Sequence, residues 1–306
     1  MKLSVVISTY NRAKSLDRTL QSVASFADEI VIVDNESSDE TPKVAKKYKA
    51  RVLRLPNNQM LNINKNAGIA YSRGEWILYL DDDEVIPADL AAEIAQVIET
   101  KPDSVGPQVC GYWIKRKNII FGKWIEHGIW WPDQQLRLFK KSFGIYPAKH
   151  VHEHLDVSGP TATLMHPYVH YNYDSIAQYL WKMEMIYTDS EVVKLVNTGY
   201  RTQWRDAIRF PVSDFVKLYF AQQGYKDGLH GLVLAMLQAF YSFIVFVKLW
   251  EREKFEHVDI PQVSLQREFG RSKKEIAYWM ITEKIRRTRN PFVIIFLKLC
   301  RKWNRV

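Results

Sequence analysis

The sequence predicts an α/β fold, with a doubly wound, mostly parallel sheet followed by a helical C-terminal region. The first observation is an alternation of short apolar strands and amphipathic helices across residues 1–100, which is typical of a parallel sheet covered by helices. The second observation is that polar residues directly follow several of these strands. The third is a change of pattern near residue 174, after which long helical stretches replace the alternation.

The alternating part consists of seven elements in sequence order. The first strand is a continuous apolar run, as expected for a strand that is buried on both faces. The first helix places its apolar residues on one stripe, and Ser37–Pro42 supplies N-cap residues for the second helix. The predicted elements are strand Leu3–Thr9, helix Ser15–Phe26, strand Glu29–Asp34, helix Lys43–Lys49, strand Arg51–Leu55, helix Ile63–Ser72 and strand Glu75–Leu80.

Beyond Pro107 the alternation loosens, and the later pattern becomes helical. The predicted elements there are strand Tyr112–Ile120 and helices Asp174–Val196, Pro211–Gln223 and Leu232–Trp250, with Pro261 and Gly270 as breaks in the rest of the chain. Residues 231–250 are long enough to cross a bilayer. Gln238 and Lys248 weaken that interpretation, and we expect a helix that lies at a membrane interface or is buried in a helical subdomain.

Four consecutive acids, Asp81–Glu84, close the apolar run Trp76–Leu80. Neighbouring like charges raise each other's pKa values and destabilise the fold. A divalent cation would relieve this repulsion, since Mg²⁺ takes one or two carboxylates together with substrate phosphates. The alternative is that the acids are solvated and cap the next helix. Polar residues after two other strands, Thr9–Asn11 and Asp34–Asn35, favour a site, because ligands lie beyond the carboxyl ends of parallel strands.

Composition and charge limit the possible functions. The 306 residues are 47% hydrophobic, which is enough for a packed core. Cys110 and Cys300 lie far apart, which fits a reducing compartment and argues against disulfides or a cysteine-built zinc site. Residues 271–306 hold 11 basic and 2 acidic residues, and the whole chain carries a net charge of +9. No nucleic-acid-binding signature accompanies this basic tail, so an anionic membrane surface is the expected partner.

Three ordered motifs carry a resemblance to a known family. They are LSVVISTYNRAKSLDRTLQSV at 3–23, EIVIVDNESSDET at 29–41 and NKNAGIAYSRGEWILYLDDDEVI at 64–86. Together they resemble family-2 glycosyltransferases with the GT-A fold, and in particular bacterial lipopolysaccharide-core and surface-glycan transferases. The resemblance implies a nucleotide-sugar-binding half at 1–105 and an acceptor-binding half at 106–172. A helical, basic region that associates with membranes is expected at 173–306.

The resemblance also implies roles for individual residues. The divalent metal, Mg or Mn, would be bound by Asp81 and Asp83 of a D-x-D motif, and Asp83 would act in catalysis through it. The residues expected to bind the nucleotide-sugar donor are Thr9, Tyr10, Asn11, Asp34, Asn66, Asp81, Asp82 and Arg137. Arg137 either pairs with a diphosphate or forms a structural ion pair. A UDP-sugar is the favoured donor, although Asn35 replaces an Asp that is frequent in the family and weakens the prediction of the base.

The catalytic base is expected at Glu153, between His152 and His154. A carboxylate in such surroundings can be held at a pKa suited to proton abstraction from an acceptor hydroxyl. Asp156 is the alternative base. A metal site at the two histidines and a purely structural loop are the competing interpretations, although the spacing does not match H-E-x-x-H. One or two of the tryptophans Trp113, Trp124, Trp130 and Trp131 are expected to stack on an acceptor sugar.

The C-terminal tail places an apolar patch, 292–297, between the basic runs Arg286–Arg289 and Lys298–Arg305. This composition is typical of an interfacial membrane anchor, and the alternative is a helix packed on its own protein. The apolar run at the N-terminus is too short for a signal peptide. We therefore expect a cytoplasmic protein that binds peripherally to the inner face of the membrane.

The leading hypothesis is an inverting, metal-dependent glycosyltransferase that moves a sugar from a nucleotide sugar to a glycan or lipid-linked acceptor, in the biosynthesis of lipopolysaccharide or another surface polysaccharide. A sugar nucleotidyltransferase is the alternative within enzymes, but Ser8–Arg12 lacks the glycines of a phosphate-binding loop. A non-catalytic protein that binds membranes or nucleic acid is the third possibility, and it leaves the acids at 81–84 unexplained.

Overall fold

The structure is a computed structural model that describes residues 1–57, 61–100, 108–147 and 154–304. It divides into two compact units. The first comprises Met1–Ile119 and Trp131–Asn172, and the second comprises Ile120–Trp130 and Tyr173–Val306.

The elements up to residue 173 belong mainly to the first unit. They are β1 (Leu3–Thr9), α1 (Ala13–Val23), β2 (Glu29–Asp34), α2 (Thr41–Lys47), β3 (Arg51–Arg54), α3 (Leu61–Tyr71), β4 (Trp76–Asp81), β5 (Glu84–Val85), α4 (Ala88–Glu99), β6 (Gly111–Ile120), β7 (Lys123–Trp124), β8 (Asp133–Lys140), β9 (Gly144–Ile145), β10 (Asp156–Val157), β11 (Thr161–Thr163) and β12 (Tyr168–Tyr173). The α-helices of the second unit are α5 (Ile176–Lys182), α6 (Thr188–Asn197), α7 (Asp206–Val216), α8 (Leu229–Arg252), α9 (Gln262–Arg287) and α10 (Pro291–Trp303).

The main sheet has the strand order β3-β2-β1-β4-β8-β6-β12-β5. Strands β3, β2, β1 and β4 are mutually parallel. Strand β8 is antiparallel to both β4 and β6, and β12 is antiparallel to β5. The predicted fold class, an α/β fold with a doubly wound, mostly parallel sheet followed by a helical C-terminal region, is confirmed.

Both faces of the parallel strands are covered by apolar side chains. Along β1, Val5 and Ile7 join one core with Leu16 and Leu20 of α1, whereas Val6 joins the other core. The same alternation along β4 sends Leu78 and Leu80 to the first core and Ile77 and Tyr79 to the second. Continuous apolar strands are therefore the expected pattern here, because no face of these strands meets water.

Helix α3 packs against the second face through a glycine. A Cβ atom at Gly68 would lie 2.9 Å from Val6 Cγ1 and closer still to Val33 Cγ2. Both valines are fully buried, so α3 approaches β1 and β2 only because residue 68 has no side chain. This close approach explains why the third family motif has a glycine at residue 68.

Two helix predictions need correction. The helix expected to begin at Pro211 starts at Asp206, and Pro211 lies inside it. The packing of α7 along α8 offsets the hydrogen bond that a proline removes from a helix. The break expected at Gly270 is wrong, since α9 runs through it without interruption. A single glycine costs only about 1 kcal/mol in a helix, which is not enough to end a helix of 26 residues.

The second unit is built around α8. Its buried residues recur with helical spacing: Gly231, Leu234, Ala235, Ser242, Val245 and Leu249. They pack in part on α6 and α7, so one face of α8 is buried in a helical unit, as the sequence allowed. Among the described residues, α8 is the one helix with the length and hydropathy to cross a membrane. A core helix of a soluble protein satisfies the same criterion.

Candidate active site

The carboxyl ends of three neighbouring strands meet at one edge of the sheet. Strand β1 lies between β2 and β4, and its register pairs Thr9 with Asp34 and Ser8 with Asp81. The polar residues that the sequence places after separate strands therefore come together, as predicted. They form the centre of the candidate site.

The side of the site at β2 is held by amide and carboxylate hydrogen bonds. Asp34 is buried, and its Oδ1 accepts from the backbone N–H of Ser37 at 3.0 Å. Asn35 donates to the carbonyl of Thr9 at 3.0 Å and accepts from Asn64 Nδ2 at 2.6 Å. These bonds tie the ends of β1 and β2 together and fix the direction in which Asp34 presents its carboxylate.

Asn11 shapes the loop after β1. Its φ of 52° lies in the left-handed region, which asparagine tolerates better than most residues. Its side-chain oxygen accepts from the N–H of Ser38 at 2.7 Å, and its own N–H donates to Ser37 Oγ at 2.9 Å. Tyr10, the preceding residue, is 47% exposed. The loop thus holds Tyr10 at the surface beside the strand ends.

Asp81 and Glu84 share a cation. Arg137 Nη2 donates to Asp81 Oδ2 at 2.6 Å and also to Glu84 Oε1. Glu84 is fully buried, and Lys65 Nζ lies 3.9 Å from the other oxygen of Asp81. Burial alone would raise the pKa of Asp81, but the charges of Arg137 and Lys65 outweigh it and hold that pKa far below its usual value. Asp81 is therefore an ionised carboxylate between two cations.

Asp82 and Asp83 are bridged by Arg12. Its Nε donates to Asp82 Oδ1 at 3.2 Å, and its Nη2 donates to Asp83 Oδ2 at 3.0 Å. The other oxygen of Asp83 lies 3.3 Å from His170 Nε2. Burial and the charge of Asp83 raise the pKa of Asp82 to about 7. Even with Arg12 in place, Asp82 is therefore shifted toward its protonated form. A bound cation would reduce the repulsion between the neighbouring carboxylates that contributes to this shift.

The carboxylate oxygens of this cluster are of the type that a divalent cation takes as ligands together with substrate phosphates. No group of three or more His, Cys, Asp or Glu side chains within the described ranges could hold a metal by itself. Magnesium sites in phosphate-binding enzymes use one or two carboxylates and complete the shell with phosphate oxygens and water. Asp81 and Asp83 supply such hard oxygen donors at the strand end.

Several residues at this site were missed by sequence reasoning. Arg12 and Lys65 lie inside the family motifs, and a search for cations to balance Asp81–Glu84 would have found them. His170 carries no local signal, since it reaches Asp83 only through the pairing of β12 with β5. Its other ring nitrogen lies 2.7 Å from Asn118 Oδ1.

Other predicted residues have structural contacts. Asn66 makes two hydrogen bonds to the backbone of Tyr146, at 2.8 and 2.9 Å, so its amide ties α3 to the segment after β9. Trp113 Nε1 donates to Thr161 Oγ1 at 3.2 Å. Trp113 and Trp131 belong to the first unit, whereas Trp124 and Trp130 belong to the second. Their roles toward an acceptor stay predictions.

Glu153, the predicted base, lies outside the described residues, as does His152. The described segment that follows contains the exposed residues His154 and Asp156. Asp156 forms part of β10, which pairs with β9. The assignment of the base to Glu153, with Asp156 as the alternative, therefore stays a prediction.

Comparisons with known proteins match the N-terminal half of the chain and, for several relatives, most of its length. The profile of Glycosyl transferase family 2 matches residues 4–152. An uncharacterized glycosyltransferase of Rickettsia bellii is 26% identical over 260 residues, which cover 82% of this chain and 86% of the relative. The poly(ribitol-phosphate) beta-N-acetylglucosaminyltransferase TarP of Staphylococcus aureus is 27% identical over 165 residues, 46% of this chain and 49% of TarP. The solved structure of S. aureus TarS 1–349 in complex with UDP-GlcNAc aligns with a TM-score of 0.43 and 15% identity, over 86% of this chain and 95% of that chain.

Proposed function

We propose that this chain, a glycosyltransferase whose residues 4–152 match Glycosyl transferase family 2, transfers a sugar, with inversion, from a nucleotide-sugar donor to a cell-surface glycan or glycolipid. The observation that carries the proposal is the meeting of Thr9, Asp34 and Asp81 at adjacent strand ends. The relative TarP, a poly(ribitol-phosphate) beta-N-acetylglucosaminyltransferase, supports an acceptor of this general class. A lipopolysaccharide acceptor is one member of the class.

The nucleoside end of the donor would bind at Thr9–Asn11 and Asp34. Asp34 is buried and oriented by the Ser37 N–H, so its carboxylate can accept hydrogen bonds from a ribose or a base without a large loss of side-chain entropy. Tyr10 offers an exposed aromatic ring beside the same strand end. A uridine nucleotide is the donor that we favour.

Asp81 and Asp83 would hold Mg²⁺ or Mn²⁺ together with the donor diphosphate. When bound, the metal neutralises the charge of the leaving diphosphate and orients it. Arg137 and Lys65 lie beside Asp81, and Arg12 lies beside Asp83. In this proposal the diphosphate would share the cations that now balance the acids.

The acceptor hydroxyl would lose its proton to Glu153 and attack the anomeric carbon opposite the leaving diphosphate. A single displacement of this kind inverts the configuration of the sugar. The proton moves from the acceptor oxygen to the carboxylate, and the bond to the diphosphate oxygen breaks as the new glycosidic bond forms. General-base assistance accelerates such a step by a factor of about 10²–10⁴.

The test is a screen of the purified chain against nucleotide sugars, with released nucleoside diphosphate measured with and without Mn²⁺. We expect release from one donor, dependent on the metal and stimulated by a glycan or glycolipid acceptor. A sugar nucleotidyltransferase would instead release pyrophosphate from a nucleoside triphosphate and a sugar 1-phosphate. Turnover of a nucleoside triphosphate with a sugar 1-phosphate would contradict the proposal. So would the absence of turnover with every nucleotide sugar in the panel.

A further inference from the structure

Helix α10 packs on α9 through one face. Ile294, Leu297 and Arg301 follow one another at helical spacing and are each partly buried. Arg301 places its guanidinium 5.6 Å from the centre of the Tyr278 ring of α9. The helix begins at a capped end, since Asn290 accepts from the N–H groups of Phe292 and Val293. The helix therefore has a defined orientation on α9.

The opposite face of α10 is apolar and open. It consists of Phe292, Ile295, Phe296, Leu299 and Trp303, a set that we call the α10 outer face. Phe292 is 80% exposed, Phe296 is 64% exposed and Trp303 is 83% exposed. The spacing i, i+3, i+4, i+7, i+11 puts all five on one stripe of a helix. Contiguous apolar side chains of this size on a surface mark an interaction site.

The charges around this face identify its partner. Lys298 and Lys302 are exposed, and helical spacing places them along one edge of the α10 outer face. Residues 284–304 hold seven Lys or Arg and no Asp or Glu. Long basic side chains beside an apolar stripe that ends in Trp match the boundary between headgroups and acyl chains of an anionic bilayer.

The length of α10 excludes a span. Its 13 residues measure about 20 Å along the axis, whereas the hydrocarbon core of a bilayer is about 30 Å thick. We infer that α10 lies in the plane of an anionic membrane surface, with the α10 outer face inserted below the headgroups. This inference rests on the second unit alone and does not depend on the proposed transfer reaction.

The test is co-sedimentation of the full chain with two kinds of phosphatidylcholine vesicle. One kind contains no phosphatidylglycerol, and the other contains about 30%, which makes its surface strongly anionic. We expect binding to the anionic vesicles only, weakened by salt. Phe296→Gln should lower the partition coefficient about tenfold or more, since a buried Phe side chain is worth that factor. Phe269→Gln is the matched control, because Phe269 is similarly exposed, at 58%, but lies on α9.

Each outcome decides the inference. A tenfold loss with Phe296→Gln, no more than a twofold change with Phe269→Gln and a weaker salt dependence with Lys298→Gln/Lys302→Gln would support it. Binding that persists in high salt and alkaline carbonate would overturn it in favour of a span by α8. Equal losses in the two Phe variants would also overturn it. So would a dimer in the absence of lipid that Phe296→Gln dissociates, because a second copy would then cover the face.

Discussion

Arg137 Nη2 lies 2.6 Å from Asp81 Oδ2 and donates from the same nitrogen to Glu84. The sequence left open whether Arg137 binds a diphosphate or forms a structural ion pair. The structure shows the ion pair, and it shows that one partner, Glu84, is completely buried. Arg137 therefore stabilises the acidic strand end, whether or not a donor phosphate later shares its charge.

Replacing Arg137 should destabilise the protein strongly. Arg137→Met leaves Glu84 buried without its cation, and breaking a buried pair in this way costs about 3–5 kcal/mol. The free energy of unfolding, measured in urea, is expected to fall by this amount. The double variant Glu84→Gln/Arg137→Met should recover at least about 1 kcal/mol, because the two residues are directly coupled. Additive effects of the two single changes would refute the coupling.

Removing the Asp83 carboxylate should abolish the metal-dependent step. Asp83→Asn retains the size of the side chain but removes a charged oxygen donor, and we expect turnover to fall about 100-fold or more, in line with the several kcal/mol that a metal contributes. Binding of nucleotide should also lose its dependence on Mn²⁺, measured by calorimetry. Asp89→Asn, an exposed acid in the first turn of α4, is the control and should behave like the parent. Normal turnover of Asp83→Asn at saturating Mn²⁺ would remove Asp83 from the metal site.

Glu153 and Asp156 can be separated by matched amide substitutions. Glu153→Gln should bind the donor normally and reduce turnover by about 10²–10⁴, the usual contribution of a general base. Asp156→Asn should reduce turnover by less than about tenfold. Donor affinity is read from nucleotide titration and turnover from diphosphate release. The reverse pattern would move the base to Asp156.

Substitution by Ala should change the free energy of unfolding in opposite directions at Gly68 and at Gly270. Gly68→Ala drives a Cβ atom into Val33 and Val6, and overpacking of this kind costs about 1–3 kcal/mol. Gly270→Ala lies within α9 with no atom near the new Cβ, and it should raise the free energy of unfolding by about 0.5–1 kcal/mol. Urea unfolding of the two variants checks the pair. Equal effects would mean that α3 can move away from the sheet.

Glu29 should make stability depend on pH in the acid range. Burial favours the neutral form, but hydrogen bonds from Ser4, the Arg73 N–H and Arg51 outweigh it and lower the pKa of Glu29 below its ordinary value of 4.5. A lowered pKa in the folded state means that the stabilisation is complete above about pH 4.5 and is lost as pH falls through the folded pKa. Unfolding midpoints in urea between pH 7 and pH 3 should therefore drop less in Glu29→Gln than in the parent protein. Glu75→Gln, which removes an exposed carboxylate, should retain the parent's pH profile, and an unchanged profile in Glu29→Gln would contradict the assignment.

The local pattern was sufficient for the N-terminal fold. The predicted strands Leu3–Thr9 and Glu29–Asp34 agree with β1 and β2 at both ends, and the other predicted strands and helices of residues 1–100 differ by a few residues at their ends. Strand β5 and helix α4 were not predicted. Buried parallel strands are uniformly apolar and their helices carry one apolar stripe, so the period alone distinguishes them. The meeting of Thr9, Asp34 and Asp81 follows from that order, because parallel strands end at the same edge.

The partners of the acids were decided by tertiary structure. Arg12 reaches Asp83 across 71 residues, and His170 approaches the same carboxylate through the pairing of β12 with β5. Such contacts depend on strand register between distant segments, which no local pattern encodes. The same holds for α10, where the composition indicated an apolar, basic helix. Only its packing on Tyr278 decides which stripe is buried and which is left open.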